Sequence, residues 1–141
     1  MYKSSAAIIL IAILISYCSL VPQRPVESEY LKTSDGGFLI DYSKKEIHYK
    51  LTLVAKKEIK EGGLIEVFFE NPEGGEPLKT EHIVIFNEKQ FVLQSPPVNG
   101  LKAHNNYSIK VKLYSDNSKE KLISTHNQSL YNITKQSNLG W

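Results

Sequence analysis

The sequence predicts an all-β chain: seven antiparallel strands packed as a two-layer sandwich, behind an apolar N-terminal signal helix. Three observations predict it. From Gly36 onward apolar residues alternate with polar ones, the period of a half-buried strand. Clusters of Gly, Pro, Asn, Asp and Ser interrupt the alternation at short spacing, as the turns of a sandwich do. No window carries the spacing of an amphipathic helix. The 141 residues suffice for one domain, and 41% apolar with 23% charged residues is ordinary for a globular protein.

The first segment, 1–20, reads as a signal sequence or membrane anchor. Lys3 supplies a positive start, and Ala6 to Ile15 is an unbroken apolar run. A spanning helix needs about 20 apolar residues, so this shorter run fits a signal better. It ends in "LISYC", which resembles the lipobox of bacterial lipoproteins. Ile15 lies three before Cys18, the small Ser16 two before, and Tyr17 stands where a small residue is expected. Three fates of Cys18 follow: lipidation, loss with a signal cut before Ser19, or retention in an uncut anchor. Each exports the domain. Cys18 is the only cysteine, so no intramolecular disulfide is available. Residues 21–35 read as a tether, because Pro22 and Pro25 disfavour helix and the charges disfavour burial.

The sandwich is expected over 36–131. Phe38 to Ser43 forms the first strand. In "EIHYKLTLV", Ile47, Tyr49, Leu51 and Leu53 share one face, with His48, Lys50 and Thr52 on the other. Gly62 and Gly63 mark a turn. In "LIEVFFE", Ile65, Val67 and Phe69 point inward and Glu66, Phe68 and Glu70 outward. "NPEGGEP" (Asn71 to Pro77) is a loop of breakers. "TEHIVIF" and "QFVLQS" are two further strands. In "YSIKVKLYS", Tyr107, Ile109, Val111 and Leu113 oppose Ser108, Lys110, Lys112 and Tyr114. "DNSK" is a hairpin turn and "EKLISTHNQSLY" the last strand. Residues 132–141 form a polar tail that ends in Leu139 and Trp141.

The stretch "LKAHNNYSIKVKLY" resembles the corner before the sixth strand of a fibronectin type III domain. Leu101 lies six positions before Tyr107, as in that immunoglobulin-like family. The resemblance implies that Leu101 plugs the base of the core. It also implies that Tyr107 buries its ring and turns its hydroxyl to backbone at the corner. The family's tryptophan on the second strand is absent, which leaves Tyr49 or Leu51 to fill that space.

Little in the chain points to chemistry. The four histidines, His48, His82, His104 and His126, fall on different segments and show no metal-ligand spacing. No Gly-x-Ser-x-Gly elbow occurs, and the glycine pairs do not open a helix. Glu66 and Glu70 are expected to pair with Lys110 and Lys112 across neighbouring strands, at roughly 0.2–1 kcal/mol a pair. The formal charge of +2 lacks the basic excess of a nucleic-acid binder. Three sequons, at Asn106, Asn127 and Asn132, matter only in a eukaryotic source.

No catalytic residue, cofactor or metal is therefore expected. The expected function is a non-catalytic, membrane-tethered binding or adaptor module on the extracytoplasmic side, with an envelope or surface protein as partner. Candidate binding residues are Phe68 and Tyr114 on an outer sheet face, and the terminal Trp141. The loop from Pro72 to Pro77 is a second candidate. A carbohydrate-binding module with Phe68, Tyr114 or Trp141 as stacking platforms is the alternative class. A cleaved signal makes the protein soluble and exported.

Overall fold

The structure, a computed structural model, describes residues 26–133 and 139–140. The expected signal segment, Cys18 and Trp141 lie outside the described residues. Seven strands follow in chain order: β1 (Leu31–Asp41), β2 (Glu46–Ala55), β3 (Leu64–Phe69), β4 (Leu78–Ile83), β5 (Gln90–Gln94), β6 (Asn105–Tyr114) and β7 (Leu122–Asn132). They form two antiparallel sheets, one ordered β1-β2-β5 and the other β4-β3-β6-β7.

Alternation decides which side chains meet between the sheets. On β2, Ile47, Tyr49, Leu51 and Leu53 are buried; on β3, Ile65, Val67 and Phe69; on β6, Tyr107, Ile109, Val111 and Leu113. These residues share one continuous core with Phe91 and Leu93 of β5. Apolar burial of this kind is the main favourable term in folding. The centre is aromatic: the Tyr49 ring stacks on Phe69 with centroids 5.2 Å apart and leans on Phe38 at 4.9 Å. Tyr49 thus occupies the middle of the core. Its hydroxyl crosses to the other sheet and donates to the Glu70 carbonyl at 2.7 Å.

At the corner before β6, Leu101 is buried, and the Lys102 N–H donates to the Tyr107 hydroxyl oxygen at 2.7 Å. Asn132 Nδ2 donates to the Lys102 carbonyl and ties the end of β7 to the same corner. The β1–β2 turn is closed by Asp41, whose carboxylate accepts the N–H groups of Ser43 and Lys44. Such side-chain turns stand in for backbone bonds that a sharp reversal cannot make.

Two boundaries differ from the sequence expectation. β1 begins at Leu31, within the segment expected to be tether. Leu31 is 1% exposed, and its strand pairs with β2 from Leu31↔Ala55 to Asp41↔Glu46. A bulge between Thr33 and Asp35 absorbs the irregular sequence there. Gly36 lets β1 pass close to β7: a Cβ there would lie 2.7 Å from Leu130 Cδ2, and the leucine side chain would have to move aside. That close approach closes the sandwich on this side. The second difference is β4, which stops at Ile83. Val84 then turns into the core, and a loop through Lys89 leaves Ile85 and Phe86 exposed.

Ahead of β1 the chain folds back on itself, with Glu27 bridged to Lys32 and the Thr33 N–H donating to the Val26 carbonyl. This hairpin seals His126, which is 1% exposed. Thr33 Oγ1 lies 2.8 Å from its Nε2 and Ser28 Oγ 3.0 Å from its Nδ1. Burial lowers the His126 pKa, so the native protein holds the ring neutral. The unfolded chain binds the proton more readily. This contribution to stability is therefore complete above the ordinary imidazole value of 6.5 and is lost as pH falls below it. Thermal melts from pH 7.5 down to 5 are expected to show a falling Tm whose slope is reduced in His126→Gln. An unchanged slope in that variant would assign the acid sensitivity elsewhere.

Candidate functional site

The outer face of the four-stranded sheet is built in cross-strand rows. Phe68 of β3 lies between Lys79 of β4 and Lys110 of β6. One row along, Glu66 lies between Glu81 and Lys112. The next row sets Leu64 between Ile83 and Tyr114. Each of these residues faces away from the core because its neighbours in sequence face into it.

The two ends of this face differ. At the Leu64 end the β6–β7 loop closes over the sheet. Asp116 accepts from the Ser118 N–H and hydroxyl, and Lys119 takes a left-handed conformation with φ 59°. The Lys119 ammonium thereby reaches both Glu66 and Glu81. Lys79 bridges the same two carboxylates, at 3.1 and 2.9 Å. Glu66 is 3% exposed beneath this lattice of two acids and two bases. Burial pushes its carboxyl up, but hydrogen bonds from Lys119 and Lys79 outweigh this and hold it below the usual glutamate range. The same lysines hold the more exposed Glu81 down at about 2.

Glu66 was expected outward and paired with a lysine of β6. It stands opposite Lys112 in register, yet its carboxylate turns to Lys79 and Lys119 instead. Glu70 makes no pair with Lys110 or Lys112 either. Its Oε1 accepts the Ser108 hydroxyl at 3.0 Å. The physical reason is reach: two flexible lysines converge on Glu66 from an edge strand and a folded loop, and desolvate it as they do so.

At the other end the face is open. A groove of about 690 Å³ lies between the sheet and the β3–β4 loop. Phe68 forms its floor, Lys110, Lys112, Ser108 and Glu70 one side, and Asn71, Pro72, Gly74, Gly75 and Pro77 the other. The Lys112 ammonium sits 5.3 Å from the Phe68 ring centroid, a cation–π contact of about 0.5–1 kcal/mol at an accessible site. Asn71 holds the loop in shape. Its Oδ1 accepts the Glu73 N–H at 3.1 Å, and its carbonyl accepts the Gly74 N–H at 2.9 Å. Gly74 and Gly75 both take left-handed conformations, with φ 85° and 83°, where a Cβ is disfavoured.

Of the binding residues expected from sequence, the structure places Phe68 in this groove together with the Pro72–Pro77 loop. Tyr114 is not with them. It lies four residues along the strand, about 13 Å away at strand spacing, and is only 9% exposed. It stands opposite Leu64 in the β3–β6 register, on the outer face of the sheet. The residues missed by sequence reasoning are Lys110, Lys112 and Ser108; Gly74 and Gly75 belong to the loop already expected. The lysines had been assigned to Glu66, which Lys79 and Lys119 occupy, and to Glu70, which turns to Ser108.

The histidines each have a local partner. His48 Nδ1 donates to the Ser95 carbonyl, and its Nε2 lies 3.1 Å from Glu46. His82 pairs with Glu88, and His104 with the Tyr131 hydroxyl. Among the described residues no group of three or more His, Cys, Asp or Glu side chains converges to hold a metal. Ser95 is buried, with its hydroxyl given to the Pro96 carbonyl and accepting the Tyr49 N–H.

Fold and site together define a seven-stranded antiparallel β-sandwich with an immunoglobulin-like layering and a basic, aromatic-floored groove on its larger sheet. Comparison with family models, with curated proteins and with solved structures gives no match for this chain.

Proposed function

We propose that this protein is a non-catalytic binding module: a fibronectin-III-like sandwich held on the extracytoplasmic side of a membrane by its N-terminal segment, which recognises a protein partner through the groove over Phe68. The strand order supports the finer fold. β4 pairs with β3 in the four-stranded sheet, whereas an immunoglobulin constant domain places its fourth strand beside the first sheet. The corner at Leu101 and Tyr107 supports it too. The apolar run from Ala6 to Ile15, with the lipobox-like residues that end at Cys18, supports export and tethering.

The groove is the observation that carries the binding role. An aromatic floor, charged flanks and a loop pre-set by Asn71 and two left-handed glycines are features of a recognition surface. The groove also lies at the end of the sandwich opposite the Tyr30–Leu31 entry to β1, since β1 starts beside the end of β2 and the groove loop follows the end of β3. A module tethered through its N-terminus presents such a groove away from the turn that leads to the tether.

The reading is tested by site-specific photo-crosslinking in cells that express the full chain. A photo-reactive residue at Pro77, on the groove wall, is expected to give one discrete protein adduct. The same residue at Val92, exposed on the outer face of the other sheet, is expected to give none. No adduct at Pro77, or equal adducts at both positions, would overturn the reading.

A further inference from the structure

Resting on that reading, we infer that the groove takes an acidic linear segment of its protein partner, with a carboxylate between Lys110 and Lys112 and an adjoining apolar side chain on Phe68. The inference starts from a charge imbalance. Lys112 stands opposite Glu66, but that carboxylate is committed to Lys79 and Lys119. Lys110 stands opposite Phe68, which carries no charge. Neither lysine forms an ion pair among the described residues. Glu70, the one carboxylate of the groove wall, is turned to Ser108. Two cations therefore face a concave surface against one occupied anion, in a chain whose overall charge is only +2. A concave surface with an excess of one sign of charge draws the opposite sign.

The floor selects further. Lys112 lies over the Phe68 ring, so a sugar has no clear aromatic face on which to stack. A carboxylate that draws the Lys112 ammonium toward itself uncovers the ring for an apolar neighbour in the same segment. Lysine is a point charge on a flexible stem, which suits single carboxylates rather than the bidentate recognition that arginine gives to phosphate. The opposite wall suits a main chain. A Cβ built on Gly74 or Gly75 would meet nothing within 4 Å, so a partner backbone can approach the loop closely.

The test titrates the isotope-labelled full chain with two synthetic pentapeptides, acetyl-GDFEG-amide and its uncharged isostere acetyl-GNFQG-amide, followed by backbone amide shifts. The acidic peptide is expected to move the amides of Gly74, Gly75, Lys110 and Lys112. It should bind at least tenfold more tightly than the isostere and weaken as salt is raised. Lys110→Gln with Lys112→Gln should remove that tenfold preference while leaving the melting temperature within a few degrees. Equal binding of the two peptides, no shift at the groove, or a groove response to neutral oligosaccharide alone would overturn the inference. Its failure is separable from failure of the binding role. A crosslink at Pro77 that survives the double glutamine variant overturns the acidic segment and leaves the module intact, whereas loss of the crosslink in that variant supports it.

Discussion

Replacing Tyr49 with alanine is expected to be the most destabilising single change in the core, at about 3–5 kcal/mol, the usual cost of truncating a buried aromatic. Tyr49 is 0% exposed, stacked on Phe69 and flanked by Phe38 and Tyr107, so nothing small can refill its space without collapse of both sheets. A domain of this size is stable by only about 5–15 kcal/mol, and no disulfide within the chain supplements that. Urea unfolding followed by intrinsic fluorescence should show the transition midpoint drop sharply or the folded baseline vanish. The control is Tyr49→Phe, which keeps the ring and removes only the hydrogen bond to the Glu70 carbonyl, at about 1 kcal/mol. That hydroxyl is held protonated: burial, with the Glu70 carboxylate and Tyr107 nearby, pushes its pKa well above the tyrosine range. Because Glu70 leads into the groove loop, Tyr49→Phe should also speed amide exchange at Gly74. If Tyr49→Ala melts like the wild type, Tyr49 is not the centre of the core.

The strands that carry this core were legible because their alternation is strict. Ile65, Val67 and Phe69 point inward and Glu66 and Phe68 outward by the two-residue period alone. The first half of β1 was not legible. "LKTSDGG" has one apolar residue and two glycines, and it is a strand only because Leu31 reaches the core and β2 supplies partners for its backbone. The candidate site was legible in pieces. Phe68 and the Pro72–Pro77 loop were each visible, but their union depends on the β3–β4 hairpin that folds one over the other. The free lysines were invisible for a different reason. Cross-strand neighbours can be guessed from register, yet Glu66 is claimed by Lys119, 53 residues away at the tip of another loop. Tyr114 misled in a similar way: its parity places it on the outer face, as expected, yet beside Leu64 at that end of the sheet it is only 9% exposed.

The Glu66 lattice gives the second large effect. Changing Lys79 and Lys119 together to methionine keeps the side-chain stems and removes both counter-charges from a carboxylate whose side chain is 4% exposed. Stranding a buried charge costs about 3–5 kcal/mol, and the low end applies because both ammonium groups are partly solvated and the lost attraction is screened. The pH dependence carries the sharper signature. In the wild type the Glu66 pKa lies below its ordinary value of 4.5, so its contribution is present above that value and lost as pH falls through the folded pKa. In the double variant only burial remains, and burial raises the pKa. The folded state then holds the proton more tightly than the unfolded chain, so the penalty grows as pH rises above 4.5 and fades below it. Denaturant melts at pH 7 and at pH 2, where Glu81 also gives up its charge, are expected to show a large gap between wild type and variant at the first and a much smaller one at the second. A gap that is constant with pH would mean that the two lysines act through packing of their stems. The same variant leaves the groove lysines in place, so the acidic peptide should still bind it wherever the fold persists.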